Sequence, residues 1–272
     1  MKEIISYGGG TQSTAMILMA LNGEFNLPKP DFAVWADTGA EPQFINDYVQ
    51  YFTNYCKQKY NFDIYTVRHP KYTLIEGLRL WDGKDGTKKF KTLLPFYTLI
   101  PDGSRGIMKR KCTEDYKILP QRRFIKTKLT KGEKWRKWFG ISFDERSRMK
   151  VSNEKGCENF YPLVENFVNR QMSIDYVKEQ GLLPPQRSAC VFCPFHSNTY
   201  WQWLKDFHPG EFSRACEVDE KVRELSIQDR SLKSKLFIHN SMKPLSEVNF
   251  TDKNQLDMWP ELIDECDGLC GI

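Results

Sequence analysis

The 272-residue chain has no apolar run near the roughly 18 residues that a bilayer span requires. Its opening, MKEIISYGGG, lacks the apolar core and cleavage site of a secretory leader. The expectation is therefore a cytoplasmic protein with no membrane partner, whose eight cysteines are mostly reduced and serve metal binding or catalysis rather than a disulfide framework. Internal repeats and low-complexity tracts are missing too. Neither G-x-G-x-x-G nor a Gly-Lys-Ser/Thr loop occurs, so the dinucleotide fingerprint and the Walker loop are both excluded. Histidine is scarce, and the four residues do not cluster; His69, beside Pro70, reads as the end of a strand.

What is present suffices for a core. Hydrophobic residues make up 40% of the chain and aromatics 14%, enough for one large α/β domain or a domain with a small appendage. The net charge of +5 is modest, but residues 105–136 concentrate twelve lysines and arginines. That stretch is either a solvated helical face or a patch for phosphates.

The N-terminal half alternates strand and helix patterns. EIISY reads as a buried strand, QSTAMILMALNG as a helix stopped by Gly23, and FAVWAD (32–37) as a second strand. A helix over 41–60 with Pro42 near its start follows, then a strand over 62–69. Strand–helix–strand alternation implies right-handed crossovers and a parallel sheet. KWRKWFGIS (134–142) offers a further strand, and SIDYVKEQG, NTYWQWLKDF and EFSRACEVDEKVREL offer helices. From about residue 232 the pattern loosens toward a tail that closes with ELIDECDGLCGI.

A buried strand that delivers Gly8, Gly9 and Gly10 to a helix start makes an anion site. The first helical N–H groups lack intrahelical partners, the helix dipole adds positive potential, and glycines let a phosphate approach the backbone. Thr11, Ser13 and Thr14 add hydroxyls. Far along the chain, SACVFCPFH places Cys190 and Cys193 in a C-x-x-C turn with Pro194 at its exit, a spacing shared by redox dithiols, zinc sites and iron–sulfur sites. Further thiol ligands would come from Cys112, Cys157 (in a polar loop), Cys266 or Cys270, while Cys56 and Cys216 read as small core residues in amphipathic helices. His196 follows the turn closely, either supporting it or lying on the surface. Asp144 and Glu145 suit either a Mg²⁺ ion or the neighbouring Arg146 and Arg148, and Trp135, Trp138, Trp201 and Trp203 suit either stacking on bases or the core.

The glycine segment resembles the PP-loop of the ATP pyrophosphatase and phosphoadenosine-phosphosulfate (PAPS) reductase superfamily, whose signature is Ser-Gly-Gly-x-Asp-Ser. The matching residues are Gly8, Gly9, Gly10, Thr11, Gln12 and Ser13, with Ser6 just upstream; Gly8 replaces the first serine and Gln12 the aspartate. ADTGAEP, with Asp37, Thr38 and Gly39, is similar to the family's adenosine-contacting Asp-Thr-Gly. KCTEDYKILPQRR (111–123) resembles its cysteine–lysine–proline–arginine segment, FGISFDERSRM (139–149) its Gly-Ile-Arg-x-x-Glu-Ser-x-x-Arg stretch, and YPLVENFVNRQMSIDYVKEQGL (161–182) its Pro-Leu and following helix. The likeness runs from residue 4 to about 205. It implies a parallel-sheet, adenine-nucleotide α-hydrolase-like (Rossmann-like) α/β domain over 1–205, with a helical or irregular extension over 206–272. It also implies ATP, with or without Mg²⁺, held by the loop residues, by Asp37, Thr38 and Gly39, and by Lys117, Arg123 and Arg148.

For the cysteines, the long spacer from Cys112 to the C-x-x-C resembles that of adenosine-phosphosulfate (APS) reductases, which hold a 4Fe–4S cluster; Cys112-Thr113 stands where they have adjacent cysteines. The tail ECDGLC resembles the Glu-Cys-Gly-Leu-His end of sulfonucleotide reductases, with Cys266 on the nucleophile and Cys270 in place of histidine. The implied ligand set is Cys112, Cys190, Cys193 and Cys270, for an iron–sulfur cluster or alternatively zinc. Cys266 is then the reactive thiol, and the reverse assignment of the two tail cysteines stays open. A three-cysteine set with a labile iron is found in cluster-dependent tRNA thiolases on this fold. Arg110 and Lys111, flanking Cys112, would stabilise thiolates and departing phosphate. The expected activity is adenylation with pyrophosphate release, then sulfur transfer to an acceptor such as a nucleic acid. Its partners would include a sulfur donor or a thioredoxin-like reductant. The alternatives are an APS/PAPS reductase releasing sulfite, and a non-catalytic nucleotide sensor or zinc-stabilised binding module, which Gln12 keeps open.

Overall fold

A computed structural model describes residues 1–84 and 86–251. The chain opens with strand β1 (Lys2–Tyr7), helix α1 (Thr11–Asn22), β2 (Phe32–Asp37), α2 (Gln43–Tyr60) and β3 (Ile64–Arg68). Four short strands follow, β4 (Leu80–Asp82), β5 (Lys88–Phe90), β6 (Tyr97–Leu99) and β7 (Arg105–Ile107). Then come a π-turn over Glu114–Ile118, α3 (Leu119–Lys128), β8 (Trp135–Phe139), a 3₁₀ turn over Phe143–Arg148 and β9 (Cys157–Phe160). Helices α4 (Pro162–Glu165), α5 (Arg170–Glu179), α6 (Asn198–Phe207) and α7 (Pro209–Gln228) lead to β10 (Lys235–Phe237).

Five strands form the central sheet in the order β3-β2-β1-β8-β9, every neighbouring pair parallel. All six residues of β2 and five of six in β1 are buried, as befits strands covered on both faces. The side-chain period of two divides them. Ile5, Tyr7, Ala33 and Trp35 pack with α1, with Phe52 of α2 and with Val177 of α5, while Ile4, Phe32 and Val34 meet Ile125 of α3 on the other face. The result is the α/β, Rossmann-like layer expected from the sequence. No helix among the described residues is long and apolar enough to cross a membrane.

A second core lies outside this sheet. Leu74, Leu78, Phe96 and Phe192 pack there with Trp201 and Leu204 of α6, Val218 and Val222 of α7, and Leu236 of β10. Strand β10 pairs antiparallel with β6, which also pairs with β7, so the chain beyond residue 206 is woven into its middle third.

The expected elements are present with three corrections. Helix α2 begins at Gln43, not residue 41, because Pro42 sits in the N-cap position with extended backbone (φ −58°, ψ 150°). Cys157 opens strand β9 opposite Trp135 instead of lying in a loop. The span from 69 to 110, without elements in the sequence reading, holds four three-residue strands.

The chain builds β1, β2 and β3 in one direction and returns to lay β8 and β9 on the far side of β1. The strand order therefore reverses between β1 and β8, and open α/β sheets bind ligands at the carboxyl ends of strands flanking such a point.

Candidate nucleotide loop and cysteine cavity

Gly8, Gly9 and Gly10 occupy that point, between the end of β1 and the start of α1. Gly10 caps the helix with extended backbone (φ −104°, ψ 173°); no side chain caps it and no acidic residue stands in the first turn. The helix start thus presents its N–H groups without a competing carboxylate. Hydroxyls fix the loop from inside. Ser13 Oγ accepts from Gly8 N at 3.2 Å and donates to Gly10 O at 3.0 Å, and Thr14 Oγ1 also donates to Gly10 O at 3.0 Å. Gly9 has φ +76°, and a Cβ there would stand 3.3 Å from Ser188 Oγ and from Val49 Cγ2. At Gly140, just past β8, a Cβ would meet the Ser13 backbone at 2.6 Å, so the end of β8 closes on the first turn of α1 only through a bare glycine. Where the family signature has aspartate, Gln12 reaches the Glu145 carboxylate at 3.5 Å, and Arg148 holds that carboxylate at 2.7 Å.

The loop after β2 is braced from several sides. Asp37 accepts from Gly39 N at 2.8 Å and from Arg68 Nε at 2.7 Å. Thr38 Oγ1 accepts from Ala40 N at 3.2 Å and lies 3.6 Å from Cys190 Sγ. Glu41 is fully buried and pairs with Lys117 Nζ at 3.0 Å. Arg214 of α7 donates to Gly39 O at 3.0 Å and to Glu41 O at 3.1 Å.

Beside this loop Cys112, Cys190 and Cys193 line one small cavity together with Thr38, Arg110 and Lys117. Three separate segments meet there for identifiable reasons. Cys112 opens the helical stretch that leads into the π-turn. Pro120 accounts for that turn. It has no N–H to give the Tyr116 carbonyl and its ring would collide with it, so the ladder slips and Leu119 N–H bonds to Glu114 O. Thr113 and Lys117 of this stretch face the cavity. The C-x-x-C is a tight turn, Cys193 N donating to Cys190 O at 3.0 Å, and His196 Nε2 donates to the same carbonyl at 2.8 Å. Burial, with a smaller push from Arg187, drives the His196 pKa down to about 3, so the ring is a neutral donor stacked on Tyr200.

One segment joins the two regions. Pro185 O accepts from Thr11 Oγ1 at 3.1 Å, Ser188 sits against Gly9, and Val191 N donates to Ala40 O at 2.8 Å. Residues 185–193 thus touch the glycine loop, then the β2 loop, then turn their thiols into the cavity.

The donors test what this cavity suits. Among the described residues no three His, Cys, Asp or Glu side chains converge as they would around a single ion. A tetrahedral zinc, with Zn–S of about 2.3 Å, would draw its sulfurs to about 3.8 Å from one another. Arg110 carries a buried Nη1 without a hydrogen-bond partner among the described residues, and an anionic group beside it would satisfy that donor. The thiols and the unpartnered Arg110 donor fit an anionic, sulfur-bound group such as an iron–sulfur cluster.

Other expected site residues lie elsewhere. Ser6 donates to Gln121 Oε1 at 2.9 Å on the α3 side of the sheet, away from the loop. Arg123 is exposed on α3; Lys111 is exposed too, although its backbone N–H donates to Leu93 O at 2.9 Å near the cavity. Trp135, Trp138 and Trp201 are buried in the cores, and Trp203 packs on Phe44 and His208. Burial pushes the Cys56 thiol up to about 12 and the Cys216 thiol up to about 11, as suits inert core residues. Cys157 is remote from the cavity, and Cys266 and Cys270 lie outside the described residues. Sequence reasoning missed Ser188, Glu41 and Arg214; Gly140 stands in the FGIS stretch that it matched to the family's Gly-Ile.

No protein-family model matches the chain, and comparison with curated protein sequences finds no match. Among solved structures the chain is similar to the U34-tRNA thiolase NcsA from Methanococcus maripaludis with its 4Fe-4S cluster. The identity is 16% and the TM-score 0.44, over 83% of this chain and 72% of that one.

Proposed function

We propose that the chain is an ATP-using, iron–sulfur-dependent enzyme of the PP-loop type that activates an oxygen on its acceptor and replaces it with sulfur. The observation that supports this most is the segment 185–193, which rests on the glycine loop at one end and gives two thiols to the cysteine cavity at the other. A phosphate chain on the Gly8–Gly10 amides leads toward that cavity, which is where sulfur chemistry would have to occur. The acceptor oxygen attacks the α-phosphorus, the bond to the pyrophosphate oxygen breaks, and pyrophosphate leaves through the glycine loop. A sulfur nucleophile then attacks the activated carbon, its C–O bond breaks, and AMP carries the oxygen away. Arg110 holds positive charge beside the cysteine cavity, which Lys117 lines as the partner of Glu41, and Arg148, steadied by Glu145, flanks the loop. When bound to Cys112, Cys190 and Cys193, an iron–sulfur group would supply a soft binding site for the incoming sulfur.

The test is anaerobic purification with iron and sulfide analysis, followed by assay of pyrophosphate release from ATP. About four irons per chain, lost in Cys112→Ser and Cys190→Ser, and pyrophosphate release lost in Gly9→Val, are expected. Zinc in place of iron, or sulfite from APS or PAPS without pyrophosphate from ATP, would overturn the reading.

A further inference from the structure

A second cavity, of about 340 Å³, lies across the π-turn from the thiols, and Leu74 and Leu94 line both spaces. Its walls are aromatic: Tyr72, Trp81 of β4, and Tyr116 of the π-turn. Tyr72 stands 5.6 Å from Trp81 and 6.4 Å from Tyr116 between ring centroids. The set is braced from behind. His69 packs on Tyr72 at 4.6 Å and on Tyr116 at 4.9 Å, and Gly77 makes room for the Tyr116 hydroxyl, which a Cβ there would meet at 2.7 Å. Arg79 lies 4.2 Å from the Trp81 ring and 5.2 Å from the Tyr72 ring without lining the cavity, so these rings already hold one cation from outside.

One carboxylate, that of Asp115, is part of the same lining. Asp115 is half-buried, and among the described residues its side chain makes no hydrogen bond and no ion pair, in a chain with 40 lysines and arginines. A carboxylate set among apolar walls gains from a positive partner, and the ring faces attract the same charge through their quadrupoles. Thr92 accepts from Leu94 N at 3.1 Å and keeps a second lone pair for an N–H. Leu78 and Leu93 offer apolar surface to the rest of a ligand. Lys91 is exposed at the edge of this lining, where solvent screens its charge.

We propose that this cavity binds an organic ammonium ion, with its charge against Asp115 and the rings of Trp81, Tyr72 and Tyr116 and its alkyl part against Leu78 and Leu93. The π-turn keeps this ligand out of the cysteine cavity and also links the two spaces. Its Asp115 and Tyr116 meet the cation, while Lys117 and the preceding Thr113 line the other side. A cation on Asp115 and Tyr116 favours the slipped register in which it finds them, so its occupancy steadies the stretch that follows Cys112. The proposal stands without the sulfur-transfer reading.

The experiment uses the full chain and calorimetric titration. Choline is compared with its uncharged carbon isostere, and n-butylammonium with n-butanol. At least one cation is expected to bind about ten-fold or more tightly than its neutral counterpart. Asp115→Asn and Trp81→Leu should each weaken that binding about ten-fold, with melting temperatures showing that the variants fold. With the preferred cation bound, amide hydrogen exchange should slow over residues 113–119. Equal affinity for cation and neutral counterpart, no binding of either cation, affinity unchanged in both folded variants, or slowed exchange confined to other segments would each overturn the proposal. The wild-type titrations decide the charge preference even where a variant does not fold.

Discussion

Lys137 is a lysine whose chemistry departs from its type. It lies in β8, almost wholly buried, with its ammonium 5.2 Å from the Phe139 ring. Burial pushes its pKa down from 10.5 to about 8, against smaller opposing pulls from Cys157 and Glu154. Between pH 8 and 10.5 the unfolded chain holds a proton that the folded chain has released, so this group makes stability rise with pH across that window. Below pH 8 its penalty is complete, about 3 kcal/mol for a shift of this size. Lys137→Met is therefore expected to be more stable than wild type at pH 7, with the advantage shrinking as the pH climbs toward 10.5. Denaturant melts of both proteins at pH 7 and pH 10 measure the difference, and an unchanged gap would refute the assignment. By contrast Lys117, buried like Lys137, has the Glu41 carboxylate at 3.0 Å; the partner separates a structural ion pair from a strained cation.

Among the elements, the π-turn carries the largest functional consequence. It exists because Pro120 blocks the normal ladder, and it sets which side chains between Cys112 and Lys117 face the cysteine cavity. Pro120→Ala restores the missing N–H and removes the ring clash, so the stretch can rewind as an ordinary helix with its register shifted. The expected outcome is a melting temperature equal to or above wild type together with reduced iron per chain; full iron loading would show that the slip is incidental. Sequence patterns reached some elements and not others, for physical reasons. Helix α1 was legible because Gly23, in the left-handed region, marks its end, and α6 because its apolar residues recur at helical spacing. Strands β4 to β7 were not, because three-residue strands such as Lys88–Phe90 have too little pattern, and β6 takes its form from pairing with distant β10. The glycine loop lies within a few residues of sequence and was legible. The cysteine cavity depends on a slipped helix and a segment 78 positions away, so the sequence suggested its members through resemblance without revealing the wall that aligns them.

At the scale of the whole molecule, the two candidate sites share a mechanical part. Thr11 is tied to Pro185, Ser188 rests on Gly9, Val191 is tied to Ala40, and the same stretch ends in Cys190 and Cys193. A ligand that orders the glycine loop must also order this stretch, and so must a group bound to its thiols. The second ligand to bind then finds part of the ordering already done, and the coupling has to be equal in both directions. ATP should therefore slow the loss of iron to a chelator, and stripping the iron should raise the Kd for ATP by the factor that ATP lends to iron retention, of order 5- to 100-fold. Gly9→Val, which crowds Ser188 at the junction, should abolish the ATP effect on iron loss even at ATP concentrations that saturate the wild type. Chelation time courses read with and without ATP, and ATP titrations of the holo and stripped proteins, give the two factors independently. If each site behaves the same whether or not the other is filled, residues 185–193 connect the sites in space without connecting their energies.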